Sequence, residues 1–105
     1  MVSHEELKAQ YPPDDAEVYR EEYARAALES ELVELFVQVR TQAGLSQAEL
    51  ARRMGTTEET VAEYEDFDTI PSVDVFAQLS RATGIPLRLV AGEVASVDLG
   101  ADRTP

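Results

Sequence analysis

The sequence contains no cysteine and a single histidine, His4, among its 105 residues. Without cysteine there is no disulfide scaffold, no thiolate chemistry and no cysteine-built zinc site. One imidazole near the start of the chain leaves a histidine metal site or a catalytic triad short of its parts. Cations are scarce: nine Lys and Arg stand against 21 Asp and Glu, a formal net charge of −12. Such a surface repels nucleic acid and anionic membrane unless its few cations are clustered, and it attracts a basic protein. No apolar run approaches the ~20 residues needed to span a bilayer. The opening MVSHEELKAQ has neither the basic nor the apolar stretch of a secretory signal. The expectation is a soluble, cytoplasmic, single-domain protein with no membrane partner.

What is present is a chain 44% apolar, enough for a modest core. The acidity belongs to its first two-thirds. Residues 1–30 carry three cations and eight anions, residues 31–70 three and nine, and residues 71–105 three and four. Tyr11-Pro12-Pro13 stops any helix at that point, because neither proline donates a helical hydrogen bond. Asp14 or Asp15 then caps a helix over about residues 16–30, rich in Ala, Glu and Arg. Its apolar stripe is thin: Tyr19, Tyr23, Ala26 and Ala27. Glu21 stands four residues before Arg25, the favourable order for a surface pair.

From Glu31 the periodicity tightens. Leu32, Leu35, Phe36, Val39 and Ala43 mark one strong helical face, and Gly44 supplies a left-handed stop. Ser46 and Glu49 form an S-x-x-E capping box, placing a helix start at Gln47. Leu50, Ala51 and Met54 are its inner face, and Gly55 ends it after two turns. Thr56 and Glu59 repeat the box and open a helix burying Val61 and Tyr64. A polar loop over 66–69 follows, with Phe67 and Ile70 expected to tuck into the core. Ser72 caps the next helix, with Asp74 in its first turn and Val73, Phe76, Leu79 and Ser80 inward. Gly84 closes it and Pro86 forbids continuation. Residues 87–90 alternate as a short strand, and residues 92–105 read as a loose tail with a faint second alternation over 94–99.

Two short helices separated by a short glycine-containing turn make a helix-turn-helix unit. The strings RTQAGLSQAELARRMGTTEETVAEYE and IPSVDVFAQLSRATGIPL, within residues 39–90, resemble the Xre, or Cro-type phage-repressor, helix-turn-helix domain. The match runs through Arg40, Gly44, Leu45, Gln47, Leu50, Ala51, Gly55, Val61, Glu65, Pro71, Leu79 and Gly84. The resemblance implies an all-α, five-helix, lambda-repressor-like domain over residues 31–90. An acidic segment with a helical extension over 1–30 precedes it, and a short strand and a tail over 91–105 follow. That layout is most similar to HigA-type antitoxins, which cap a small basic ribonuclease toxin and repress their own promoter, usually as dimers.

By the same resemblance Gln47, at a helix N-terminus, is the phosphate-clamping residue. Arg52 and Arg53 are the local cations, and Thr57, Glu58, Glu59, Thr60 and Glu63 lie on the element that enters the major groove. Arg40 and Glu65 match a structural ion pair between the first and third domain helices. One departure stands out. Residues 56–68 hold six carboxylates and no cation, where the family commonly places donors to bases and phosphates. Such a stripe is either a plain solvated face, weakened DNA binding, or a protein-binding face. Glu17, Tyr19, Glu21, Glu22 and Tyr23 are the candidate contacts to a toxin, although the tyrosines serve equally to pack the helix on its own domain. Residues 87–90 either close the fold or pair strands across a homodimer.

Enzymatic alternatives lack their motifs: there is no G-x-S-x-G, no phosphate-binding glycine loop, no H-E-x-x-H and no nucleophile beside a base. Glu58 and Glu59 diverge by about 100° on a helix and do not share a cleft. Asp66 and Asp68 lack the further oxygen ligands of a calcium loop. No catalytic residue, metal or cofactor is expected. The leading expectation is an antitoxin and regulator with a small basic toxin, operator DNA and a second copy as partners. The alternatives are a stand-alone Xre-type regulator, or an acidic adaptor that has lost DNA binding.

Overall fold

The computed structural model describes residues 16–103. Four helices and one hairpin follow in order: α1 (Ala16–Gln42), α2 (Gln47–Met54), α3 (Glu58–Glu65), α4 (Val73–Thr83), β1 (Arg88–Ala91) and β2 (Ala95–Asp98). Among the described residues, the two helices anticipated between Ala16 and Gly44 are one continuous helix. α1 is 27 residues long, about 40 Å, and passes residues 30 and 31 uninterrupted. No proline or glycine lies between Ala16 and Ala43 to break it. The Asp14/Asp15 cap and His4 lie outside the described residues.

Each helix contributes one fully buried side chain to a common core: Phe36, Leu50, Val61 and Leu79. The Phe36 ring packs against Tyr64 at 5.5 Å and Phe76 at 6.5 Å between centroids. The inner face of α1 is Val33, Phe36 and Val39, and Leu35 is exposed. This corrects the expected stripe at Leu35, whereas Leu32 and Ala43 pack partly buried against the core. Val73 is likewise exposed, at the first position of α4, before the helix turns its Phe76 and Leu79 face inward.

Local chemistry sets the helix ends. Ser46 and Glu49 form the complete capping box: Glu49 N–H donates to Ser46 Oγ at 3.1 Å, and Ser46 N–H to Glu49 Oε1 at 3.2 Å. Hydrogen bonding from the Ser46 backbone N–H, and next from its side chain, holds the Glu49 carboxyl below its ordinary pKa. The box therefore stabilises the fold above the usual carboxylate range and is lost as pH falls through the lowered value. α2 closes at Gly55, φ 71°, with Gly55 N–H on Arg52 O and Thr56 N–H on Ala51 O. That is the paired closure of a Schellman motif. It consumes the Thr56 amide, so the cap of α3 is Thr57 and not the expected Thr56.

After α3 the chain reverses with Asp68 and Thr69 amides both on Glu63 O. Phe67 sits in the left-handed region, φ 64°, and points outward, 42% exposed. This overturns its expected place in the core, and a β-carbon in that region costs roughly 1–2 kcal/mol. Ile70 is half-buried.

The supposed tail folds back. β1 and β2 pair antiparallel in register Arg88↔Asp98, Leu89↔Val97, Val90↔Ser96 and Ala91↔Ala95. Leu99 N–H on Leu87 O at 2.9 Å continues the ladder to the root, where both leucines pack on the core. Gly100 then lies against α4. A β-carbon there would stand 2.7 Å from Ser80 Cβ and strike its hydroxyl, which is buried and donates to Ile85 O at 2.8 Å. Gly100→Ala is expected to lower unfolding free energy by about 1–3 kcal/mol, measured by urea denaturation; an unchanged midpoint would mean that the hairpin root does not dock on Ser80.

Candidate nucleic-acid interface

α2, the three residues Gly55–Thr57 and α3 form the helix-turn-helix, and α1 and α4 pack behind it. Its geometry is set by one carboxylate. Glu65, at the end of α3, accepts Arg40 Nε at 2.6 Å on Oε2 and Arg40 Nη2 at 2.9 Å on Oε1. Arg40 Nη1 donates to Leu45 O at 2.9 Å, and the amide of Gln47 donates to Glu65 Oε1 at 3.0 Å. Hydrogen bonding to Glu65 holds the Arg40 pKa above its already high ordinary value. Gln47 thus stands at the N-terminus of α2 with its amide nitrogen committed to Glu65, in a network joining α1, α2 and α3.

Along α3, Glu58 and Glu59 are exposed and Glu63 is half-buried. Thr57 and Thr60 are turned on each other: Thr60 N–H donates to Thr57 Oγ1 at 3.1 Å, and the two hydroxyls lie 2.9 Å apart. With Glu65 neutralised by Arg40, the carboxylates of Glu58, Glu59, Glu63, Asp66 and Asp68 remain on or beside the helix. Cations stand at the opposite end of α2. Arg52 is exposed, and Arg53 donates to Ala82 O at 3.3 Å. Arg53 shares a surface pocket with Arg81, Met54, Gln78 and Ala82. Arg81 was not among the sequence candidates. It comes 28 positions after Arg53, and only its place in the last turn of α4 marks it.

The candidate partner contacts lie on the first two turns of α1. Tyr19 and Tyr23 are neighbours with ring centroids 6.5 Å apart. Arg25 pairs with Glu22 at 3.6 Å, in place of the expected Glu21, which is exposed like Glu17. No residue of α1 before Val33 is buried. Among the described residues no three His, Cys, Asp or Glu converge as a metal cluster. None of the described helices is long and apolar enough to cross a membrane.

Comparison with known families adds the decisive observation. The helix-turn-helix family model matches residues 37–90, just over half the chain. The chain belongs to the helix-turn-helix family. No curated protein and no solved structure matches it. The helix-turn-helix domain is a DNA-binding regulatory module and not a catalytic one. The matched span begins within α1 and ends within β1, so residues 16–36 of α1 and all of β2 lie outside it.

Removing the carboxylate at the centre should loosen the module. Arg40 and Glu65 side chains are only 15% and 8% exposed, so Glu65→Ala strands a largely buried guanidinium. The expected loss is about 2–3 kcal/mol in urea unfolding, and the apolar double variant Arg40→Met/Glu65→Leu should lose less than the single. A double variant as damaged as the single would show that the pair is not what the site depends on.

Proposed function

We propose that this helix-turn-helix protein is a HigA-like antitoxin: it neutralises a small basic ribonuclease toxin in the cytoplasm and binds its own operator weakly. The observation that carries this is the placement of acid. The module that meets DNA presents five unneutralised carboxylates along and beside α3. The protruding half of α1 offers Glu17, Glu21 and Glu22 with an aromatic edge of Tyr19 and Tyr23. Sixteen residues of α1 precede Leu32, about 24 Å of helix, long enough to lie across a small protein. Tyrosine is favoured at such contacts, and charge complementarity speeds association with a cationic partner.

The same placement sets the DNA side of the proposal. Duplex binding draws on counterion release from several phosphate contacts. Arg52, Arg53 and Arg81 supply three cations per chain, and Gln47 with the α2 N-terminus supplies neutral donors. Against these, the α3 carboxylates repel phosphates. Operator binding on this reading is weak and strongly salt-dependent, and any base contact by Glu58 or Glu59 accepts from a cytosine amino group. The acidic α3 also favours a second reading, an adaptor that keeps the fold and binds protein alone. A stand-alone regulator differs from the first by having no toxin.

Co-expression with the product of a small basic reading frame beside this gene should give a stable complex. Glu17→Lys/Glu21→Lys should weaken it about tenfold or more. Failure to form a complex with any small basic neighbour overturns the antitoxin reading. DNA upstream of the gene, compared with scrambled DNA in a gel-shift assay, separates regulator from adaptor. Glu58→Gln/Glu59→Gln/Glu63→Gln should raise affinity for duplex DNA about tenfold or more at low salt, with the gain shrinking as salt rises. No binding by either form, at low salt, would leave the adaptor.

A further inference from the structure

The turn after α3 is arranged against the stability of its own domain. Among the described residues Phe67 is the only one besides glycine with a positive φ, 64°, a region that a β-carbon disfavours. The two other phenylalanines, Phe36 and Phe76, are buried in the core, whereas Phe67 is 42% exposed. Asp66 and Asp68 flank it and are exposed too. The amides of Asp68 and Thr69 on Glu63 O draw the turn back over the end of α3. Among the described residues no cation or side-chain donor is paired with the Glu63, Asp66 or Asp68 carboxylate. These acids stand at the end of a helix with no basic residue in its last turn, where the helix dipole favours cations and disfavours anions. Strained backbone of this kind clusters at binding sites.

Charge selects the occupant. A ring between two carboxylates does not wedge into duplex DNA without bringing Asp66 and Asp68 against phosphates. A second copy, of formal charge −12, brings net repulsion as well. A guanidinium suits every feature of the turn: it stacks on an aromatic face, forks onto a carboxylate and complements the helix dipole. An ammonium pairs as a point charge and lacks the planar stack. We infer that the Phe67 turn is a docking site for an arginine side chain of a basic protein, the guanidinium lying on the ring and bonded to Asp66 or Asp68. The site is separate from the acidic arm. Glu65, two residues before Phe67, is bound by Arg40, and about 25 Å of α1 lies between Arg40 and Tyr23. The inference rests on the proposed function only in taking the partner to be basic. An occupant of this turn lies beside α3 and competes with DNA for that helix.

Capped tetra-arginine and tetra-lysine peptides, titrated into the full chain and followed at the backbone amide resonances of Asp66 and Asp68, test it. The arginine peptide should bind at this turn about threefold or more tighter than the lysine peptide. Phe67→Gly should erase that preference. Its thermal midpoint should stay within about 4 °C of the wild type or above it, because glycine is at ease where φ is 64°. Asp66→Asn/Asp68→Asn should weaken both peptides about threefold or more. Glu31→Gln/Glu93→Gln removes the same charge from exposed positions elsewhere and should weaken neither by more than about twofold. Equal binding of the two peptides, a preference that survives Phe67→Gly, or a control as weakened as the Asp pair overturns the inference. A larger fall in the Phe67→Gly midpoint overturns it by making the ring part of the core. Loss of duplex DNA affinity in that variant overturns it by assigning the ring to DNA. Absence of a basic neighbour sinks the antitoxin reading alone, and equal peptide binding sinks the docking site alone.

Discussion

Three helices are held at fixed mutual angles by what the Glu65 carboxylate accepts. Apolar burial of Phe36, Leu50, Val61 and Leu79 supplies driving force but no direction, and a core of that size tolerates sliding of one short helix over another. A guanidinium fork on a carboxylate does not. Its two parallel bonds fix distance and plane together, and here the fork reaches from α1 to the end of α3. The third arm of Arg40 holds Leu45 O in the loop between α1 and α2. Gln47 ties the start of α2 to the same carboxylate. The angle between α2 and α3, on which any approach to a DNA groove depends, thus rests on a polar knot with its buried side-chain atoms satisfied. Satisfaction matters more than number, since one missing member would leave a buried charge unpaired.

That knot also changes the electrostatic meaning of the sequence. Counted along the chain, α3 and its loop are uniformly acidic, but the Glu65 charge is turned inward and compensated. Of the remaining carboxylates, Glu58, Glu59, Asp66 and Asp68 are exposed and Glu63 is half-buried. On the proposed function, weak DNA binding and attraction for a basic protein are two consequences of one field, and they need not have separate structural origins.

Features whose cause lies within four residues were legible in the sequence. Ser46 with Glu49, Ser72, Gly44, Gly55 and Gly84 each bound a helix where expected, because caps and left-handed stops use only neighbouring backbone. The one-residue error at Thr56 arose because two threonines could cap α3. The choice between them is made by the closure of the preceding helix. The split of α1 into two helices arose because a change of stripe, from tyrosine and alanine to leucine and phenylalanine, records what each half faces. It does not record a break in the backbone. Leu35 in place of Val33, Val73 and Phe67 were misplaced for a related reason: which way a helix rolls, and whether a loop enters the core, is decided by elements distant in sequence. β2 was faint because neither of its faces is buried in the domain. The pocket of Arg53 and Arg81 left no local trace, since the two residues meet only through the docking of α4 on α2.

On the proposed function, the field that weakens operator binding also makes it adjustable. A basic protein seated on Glu17, Glu21 and the tyrosine edge of α1 adds positive charge to a chain whose formal charge is −12, and so lowers the repulsion that phosphates meet at α3. The size of that effect depends on how far the partner sits from α3, since screening confines it to about 8 Å at physiological salt. Because binding free energies are reciprocal, DNA would then tighten the partner by the same factor by which the partner tightens DNA. A partner large enough to cover α3 itself reverses the sign, competing with DNA for one surface. The direction of coupling therefore reports which acidic surface is occupied, and the reach of α1 beyond the core is the structural feature that allows the cooperative case at all.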